Sequence, residues 1–115
     1  MRAMYQHSIH ANEIGWQPGP FPGVSLKVLH GNPELGASVV LRKLEPSALI
    51  PKHFHAEAQE TVYVLEGDFI EDQKSYGAGH VFFANEGFSH GPHTTTKGGL
   101  VLTVFSAKLD VHVVN

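Results

Sequence analysis

No stretch of this 115-residue chain holds a helical period for more than a turn or two. Its apolar residues come instead as short β-branched runs broken by twelve glycines and seven prolines, a pattern of many turns and few long helices. Residues 24–30 alternate apolar with polar, as a half-buried strand does, and 31–36 read as a loop. A second strand follows at 37–44, Pro46-Ser47-Ala48 turns the chain into Leu49-Ile50-Pro51, and a third strand starts at Glu60. A hairpin is expected after Gly67, with an exposed tip at Gln73-Lys74-Ser75. Further strands are read at 81–84, at 89–96 with a break at Pro92, at 100–105 and at 111–114. The run 100–105 is apolar on both faces and is expected to be covered on both sides. Many short strands at even spacing favour an all-β antiparallel sandwich or barrel.

The length suits one domain with a core of its own. Residues 1–23 carry Pro18, Pro20 and Pro22 near their end and read as an extended arm or edge, leaving 24–115 as the folded domain. Trp16 and Phe21 in that arm are expected on the outside of a sheet or against a second subunit, with a core cap as the equal alternative. The net charge of −3 and the lack of any Lys/Arg cluster give no footprint for nucleic acid or an anionic membrane. With no cysteine, the chain forms no disulfide and has no thiol chemistry. No apolar run reaches the roughly 18 residues of a spanning helix, and a soluble cytoplasmic protein is expected.

Chemistry concentrates between His53 and Gly67. Successive side chains of an extended backbone point to opposite faces, so His53 and His55 share one side while Lys52 and Phe54 take the other. Glu60 heads a strand on which Glu60, Val62 and Val64 share a face, which admits one carboxylate to an otherwise aliphatic pocket. Gly67 ends that strand where a tight turn needs a residue free of Cβ strain. His90 offers a third imidazole within the glycine-punctuated stretch 87–93.

This constellation resembles the cupin family. His53, His55, Glu60 and Gly67 fill the first cupin motif, with four residues between His55 and Glu60, and Gly79, Gly87 and His90 are similar to the second. Ser47 stands where the first motif usually opens with glycine, Asn85 where the second usually has proline, and Thr94 where it closes with asparagine. The resemblance implies an RmlC-like jelly roll, a cupin-type antiparallel double-stranded β-helix, with His53, His55, Glu60 and His90 as metal ligands. If the spacing were shorter by one, Gln59 would take the carboxylate slot. Three imidazoles and a carboxylate suit a divalent transition metal, namely Fe, Mn, Ni, Zn or Cu, and leave coordination positions open. The chain resembles acetylacetone-cleaving and dihydroxyacetophenone-cleaving dioxygenases, and is also similar to the cupin domain of zinc-dependent anti-sigma factors. Two functions follow: a dioxygenase-like enzyme acting on a small oxygenated organic compound, or a metal- or ligand-sensing binding module. Family habit and the aromatic arm imply a homodimer.

Other residues take lesser roles. Val62, Val64, Phe82 and Leu102 are expected to line the barrel. Arg42 could point into it and hold an anionic substrate, but a solvated edge charge is preferred because arginine is rarely buried unpaired. His93 is read as exposed rather than as a partner of the metal ligands. Glu71 and Asp72 are given no chemistry, Glu57 and Glu86 are loop charges, and His7, His10, His30, His80 and His112 are structural.

Overall fold

A computed structural model describes residues 4–115; residues 1–3 of the expected arm lie outside the described residues. After a short 3-10 turn at Ala11–Glu13, the chain forms β1 (Gln17–Pro18), β2 (Val24–Gly31), β3 (Ser38–Leu44), β4 (Leu49–Ile50), β5 (His53–Phe54) and β6 (Glu60–Gly67). There follow β7 (Phe69–Glu71), β8 (Lys74–Tyr76), β9 (Val81–Ala84), β10 (His93–Thr94), β11 (Gly99–Phe105) and β12 (His112–Val113). Every pairing is antiparallel. A six-stranded sheet in the order β1-β2-β3-β11-β6-β9 faces a four-stranded sheet β4-β10-β7-β8, and β12 pairs β5. The jelly-roll expectation holds.

Alternation decides which side chains fill the space between the sheets. Val24, Leu44, Val62, Val64 and Val101 point inward from the large sheet and meet Ile50 and Phe69 of the smaller one. Val40, Ala58 and Phe105 form a second buried group. Each aliphatic side chain fully removed from water stabilises the fold by about 1.5–3 kcal/mol, so these two clusters hold the sheets together.

Turn chemistry sets the ends of the strands. Gly67 has φ +78°, and a Cβ there would lie 2.0 Å from the Gly98 carbonyl oxygen, so the close approach of two backbones requires glycine. Ser47 adopts φ 68°. The residue standing where cupins usually have glycine therefore keeps the left-handed conformation that glycine would take without strain. The β7–β8 turn lies at Asp72 and Gln73, both with positive φ, so Lys74 and Ser75 belong to β8 rather than to the expected tip.

Packing corrects two expectations and decides a third. The face of β11 carrying Leu100, Leu102 and Val104 is only partly covered: Leu100 and Leu102 are half-buried and Val104 is 43% exposed. Leu102 lies on that outer face, between Leu41 and Tyr63, and does not line the barrel; Thr103 takes the inward position because the strand alternates. The two aromatic residues of the arm also separate. Trp16 stays outside, beneath the ammonium groups of Lys27 and Lys43 at 4.6 and 5.3 Å from its ring, whereas Phe21 turns inward against the core, 6.2 Å from the His53 ring. Between them β1 joins the edge of the large sheet, Gln17 opposite Leu26, where proline is tolerated.

Candidate functional site

Three imidazoles converge. His53 and His55 project to one side, as the period of two requires, and both are buried. His90 reaches them because its backbone closes an isolated antiparallel bridge with His53: His53 N–H donates to the His90 carbonyl at 3.0 Å and His90 N–H to the His53 carbonyl at 2.8 Å. Gly87 N–H donates to the His55 carbonyl at 2.7 Å, which seats the approaching loop. One ring nitrogen from each of the three histidines then lies within 4.8 Å of the others.

Each ring is oriented by a backbone carbonyl. Nδ1 of His53 lies 2.7 Å from the Pro51 oxygen, that of His55 2.6 Å from the Asp110 oxygen, and that of His90 3.2 Å from the Phe88 oxygen. A carbonyl can only accept, so Nδ1 carries a proton in all three and Nε2 is the atom free to bind a metal. The Nε2 of His90 is buried with no well-aligned hydrogen bond, only a Glu60 oxygen at 3.3 Å, an arrangement in a protein interior that coordination to an ion would relieve. The residues present therefore fit a metal.

Glu60 enters the pocket, only 4% exposed, while its neighbour Gln59 faces solvent. One carboxylate oxygen lies 3.2 Å from His55 Nε2 and the other 3.3 Å from His90 Nε2. Burial alone would raise its pKa, but the imidazoles of His55 and His90 outweigh that and hold it well below the usual carboxylate range. The same balance acts on His90: burial pushes it down, and the nearby Glu60 carboxylate more than restores it, leaving it raised. His53 is lowered, first by burial and then by the neighbouring rings of His90 and His55, which favours the neutral form that a metal requires.

Glu60 lines two cavities. The first, of 60 Å³, is walled by His53, His55 and Arg42 together with apolar side chains including Phe21, Val40, Phe105 and Leu109. The second, of 110 Å³, is bounded by His90, His93, Glu71, Val62, Phe69 and Phe82. Val62 and Phe82 thus line the pocket as expected, and Val64 is fully buried in the core.

Arg42 and His93 overturn their readings. Arg42 shares its face with Val40 and Leu44, each 2% exposed, so the pleat turns it into the barrel, where its Nε donates to Thr103 Oγ1 at 3.0 Å. His93 is 7% exposed. The chain is not straight through Gly91 and Pro92, so both His90 and His93 face inward, their rings 6.1 Å apart. Burial first, and then the positive Arg42, pull His93 down to about 3. Its Nε2 lies 3.5 Å from Glu71 Oε1, and the same oxygen accepts from Gly91 N–H at 3.3 Å, so Glu71 has contacts that a solvated hairpin end lacks.

The C-terminal segment carries a contribution that the sequence does not signal. The Asp110 carbonyl orients His55, and its carboxylate accepts from Ala56 N–H at 2.8 Å. Leu109 and Val111 close the first cavity. No spacing signal marks Asp110, since it acts across 55 residues of sequence.

A profile of the ChrR cupin-like domain matches residues 4–110. No curated protein matches the chain in sequence. Among solved structures, KdgF from a Halomonas species is similar at 24% identity, with 92% of this chain and 97% of that one covered and a TM-score of 0.76. The polyketide cyclase RemF from Streptomyces resistomycificus follows at 22% identity, 96% and 87% coverage and a TM-score of 0.76. A putative acetylacetone dioxygenase from Methylibium petroleiphilum superposes over 100% of this chain and 85% of its own at a TM-score of 0.77 and 15% identity; these likenesses establish the fold. With a profile match that runs through the arm, both histidine motifs and the segment carrying Asp110, the chain belongs to the ChrR cupin-like domain family.

Proposed function

We propose that His53, His55 and His90 hold a divalent transition metal (Fe, Mn, Ni, Zn or Cu), with Glu60 as a further ligand, in a dioxygenase-like oxidoreductase acting on a small oxygenated organic compound. The observation that carries this is the common orientation of the three rings, each with Nδ1 on a carbonyl and Nε2 toward the others. When bound, such an ion supplies Lewis acidity and, if redox-active, access to dioxygen. The chain's own residues shape the rest. Phe21, Val62 and Phe82 exclude water, and Glu60 stays ionised beside the imidazoles, ready to accept from them or to bind the ion. Two similar solved structures bear the name acetylacetone dioxygenase, which supports the substrate class.

Metal analysis of the purified protein should find a stoichiometric first-row ion that is lost from the His53→Ala, His90→Ala double variant. Fe(II)-loaded protein should consume oxygen with a β-diketone or aryl ketone. A zinc-only preparation with no turnover on any of these compounds would sink the enzymatic reading.

A second reading, supported by the resemblance to the cupin domain of zinc-dependent anti-sigma factors, is a metal- or ligand-sensing module that works on another protein. Recovery of a sigma factor in a pull-down would put this reading first. In either case we infer that two copies pair, covering the outer face where Tyr63, Leu65, Val81, Phe83 and Val104 are each more than a third exposed. Light scattering showing a monomer at micromolar concentration would remove the pairing.

A further inference from the structure

Arg42 is an arginine without a carboxylate. It makes no ion pair among the described residues, and its one protein acceptor is the hydroxyl of Thr103, a residue with no exposed surface. A guanidinium carries five N–H donors in a planar fork. Only Nε is used, so both Nη groups stay available toward the cavity that Arg42 shares with His53, His55 and Glu60. Glu60 does not take them, because its two oxygens are turned to His55 and His90.

Charge balance makes the arrangement more specific. With a divalent ion on the imidazoles, two cationic centres face one small chamber and a single carboxylate, Glu60, offsets them. Arg42 is half-buried, and positive charge partly withdrawn from water in this way is unfavourable unless an anion completes it. The rest of the wall is apolar, with Phe21, Val40, Phe105 and Leu109 among its residues, so the protein itself does not provide that anion. The chamber's 60 Å³ has room for about two waters at roughly 30 Å³ each, hence for the carboxylate of a small acid.

We propose that Arg42, held by Thr103, is the seat for the carboxylate of a short organic acid whose second oxygen faces the three imidazoles. The proposal deepens the metal-site reading and rests on it for the second oxygen, but not for the carboxylate. It makes the ligand an acid rather than a neutral ketone. A fork of two parallel N–H donors recognises a carboxylate in both charge and shape.

The test is a titration of zinc-loaded and metal-free protein with pyruvate and with methyl pyruvate, its neutral ester. Binding is read by calorimetry and by the NMR signal of the Arg42 Nε–H. Zinc-loaded protein should bind pyruvate about tenfold or more tightly than the ester, with a saturable shift of the Arg42 signal. Arg42→Met should erase the preference while leaving zinc content unchanged. Thr103→Val, which replaces the hydroxyl by a methyl group, should weaken pyruvate binding without altering ester binding, and it serves if Arg42→Met does not fold. Equal binding of acid and ester, a preference that survives Arg42→Met, or an Arg42 signal unmoved by formate, acetate, glycolate or pyruvate at millimolar concentration would overturn the seat. If the protein takes up no metal yet still prefers the acid through Arg42, the metal reading fails and the carboxylate seat stands.

Discussion

Two buried carboxylates, Glu60 and Asp68, occupy opposite ends of β6 and the turn beyond it, and they do different work. Asp68 accepts from Thr95 Oγ1 at 2.6 Å, from the Thr96 hydroxyl and from the backbone amides of Thr96 and Lys97 at 3.2 Å. Its oxygens are surrounded by hydroxyl and amide donors, and these hold its pKa far below the ordinary carboxylate value. Glu60 lies against the imidazoles of His55 and His90, ring nitrogens of the kind that bind a metal once deprotonated. A carboxylate closed off by non-titrating donors organises a turn, whereas one that faces exchangeable partners can take part in chemistry.

The sharpest way to break this comparison is to neutralise each carboxylate in turn. Asp68→Asn should lower unfolding stability in urea by about 2–3 kcal/mol, because hydrogen bonds to a charged group are lost and an amide cannot accept from every donor. Zinc content should be unchanged. Glu60→Gln should weaken zinc binding by about 10- to 100-fold with a smaller change in stability. If Asp68→Asn cost as much metal affinity as Glu60→Gln, the distinction would collapse.

Stability against pH in metal-free protein sets the two lowered carboxylates, which contribute on the acid side, against His90, which contributes with the opposite sign. Asp68 is lowered in the folded state, so its contribution is complete above the unfolded value of about 3.9. It is lost as pH falls from there toward the folded value. His90, raised chiefly because the Glu60 carboxylate outweighs burial, contributes stability that is fully present below about 6.5. That contribution disappears as pH rises through the folded pKa. Thermal melts across pH should show both limbs in the wild type. The acid limb should shrink in Asp68→Asn, and both the acid and the neutral-to-alkaline limbs in Glu60→Gln. A neutral-to-alkaline limb that shrinks in Asp68→Asn but not in Glu60→Gln would refute both roles.

The smallest effect concerns the turn before the site. Ser47→Gly should raise stability by about 0.5 kcal/mol, the relief of a left-handed serine less the extra flexibility of glycine in the unfolded chain. A drop in melting temperature would mean that Ser47 contributes something its backbone angle does not reveal.

Local spacing is enough to read some of this molecule. Period two puts His53 and His55 on one side and Glu60 with Val62 and Val64, because neighbouring residues on a strand obey a steric rule that needs no knowledge of partners. It also marks Gly67, whose positive φ the turn demands. The same rule groups Arg42 with Val40 and Leu44 but cannot tell which face is inner, and the preference for a solvated charge then misplaces it. The outer face of β11 is misjudged for the converse reason: apolar alternates on both sides look alike whether or not a second layer covers them.

What the sequence determined alone was the set of short strands, their facing residues and the histidine pattern of a cupin, all consequences of backbone geometry acting over a few residues. What only the tertiary structure decided was convergence. The bridge from His53 to His90, the inward turn of Phe21 and His93, the carbonyl of Asp110 behind His55 and the pairing of Arg42 with Thr103 join residues distant in the chain. Such contacts depend on how whole sheets pack, because a side chain's environment is set by the strands laid against it and not by its neighbours in sequence.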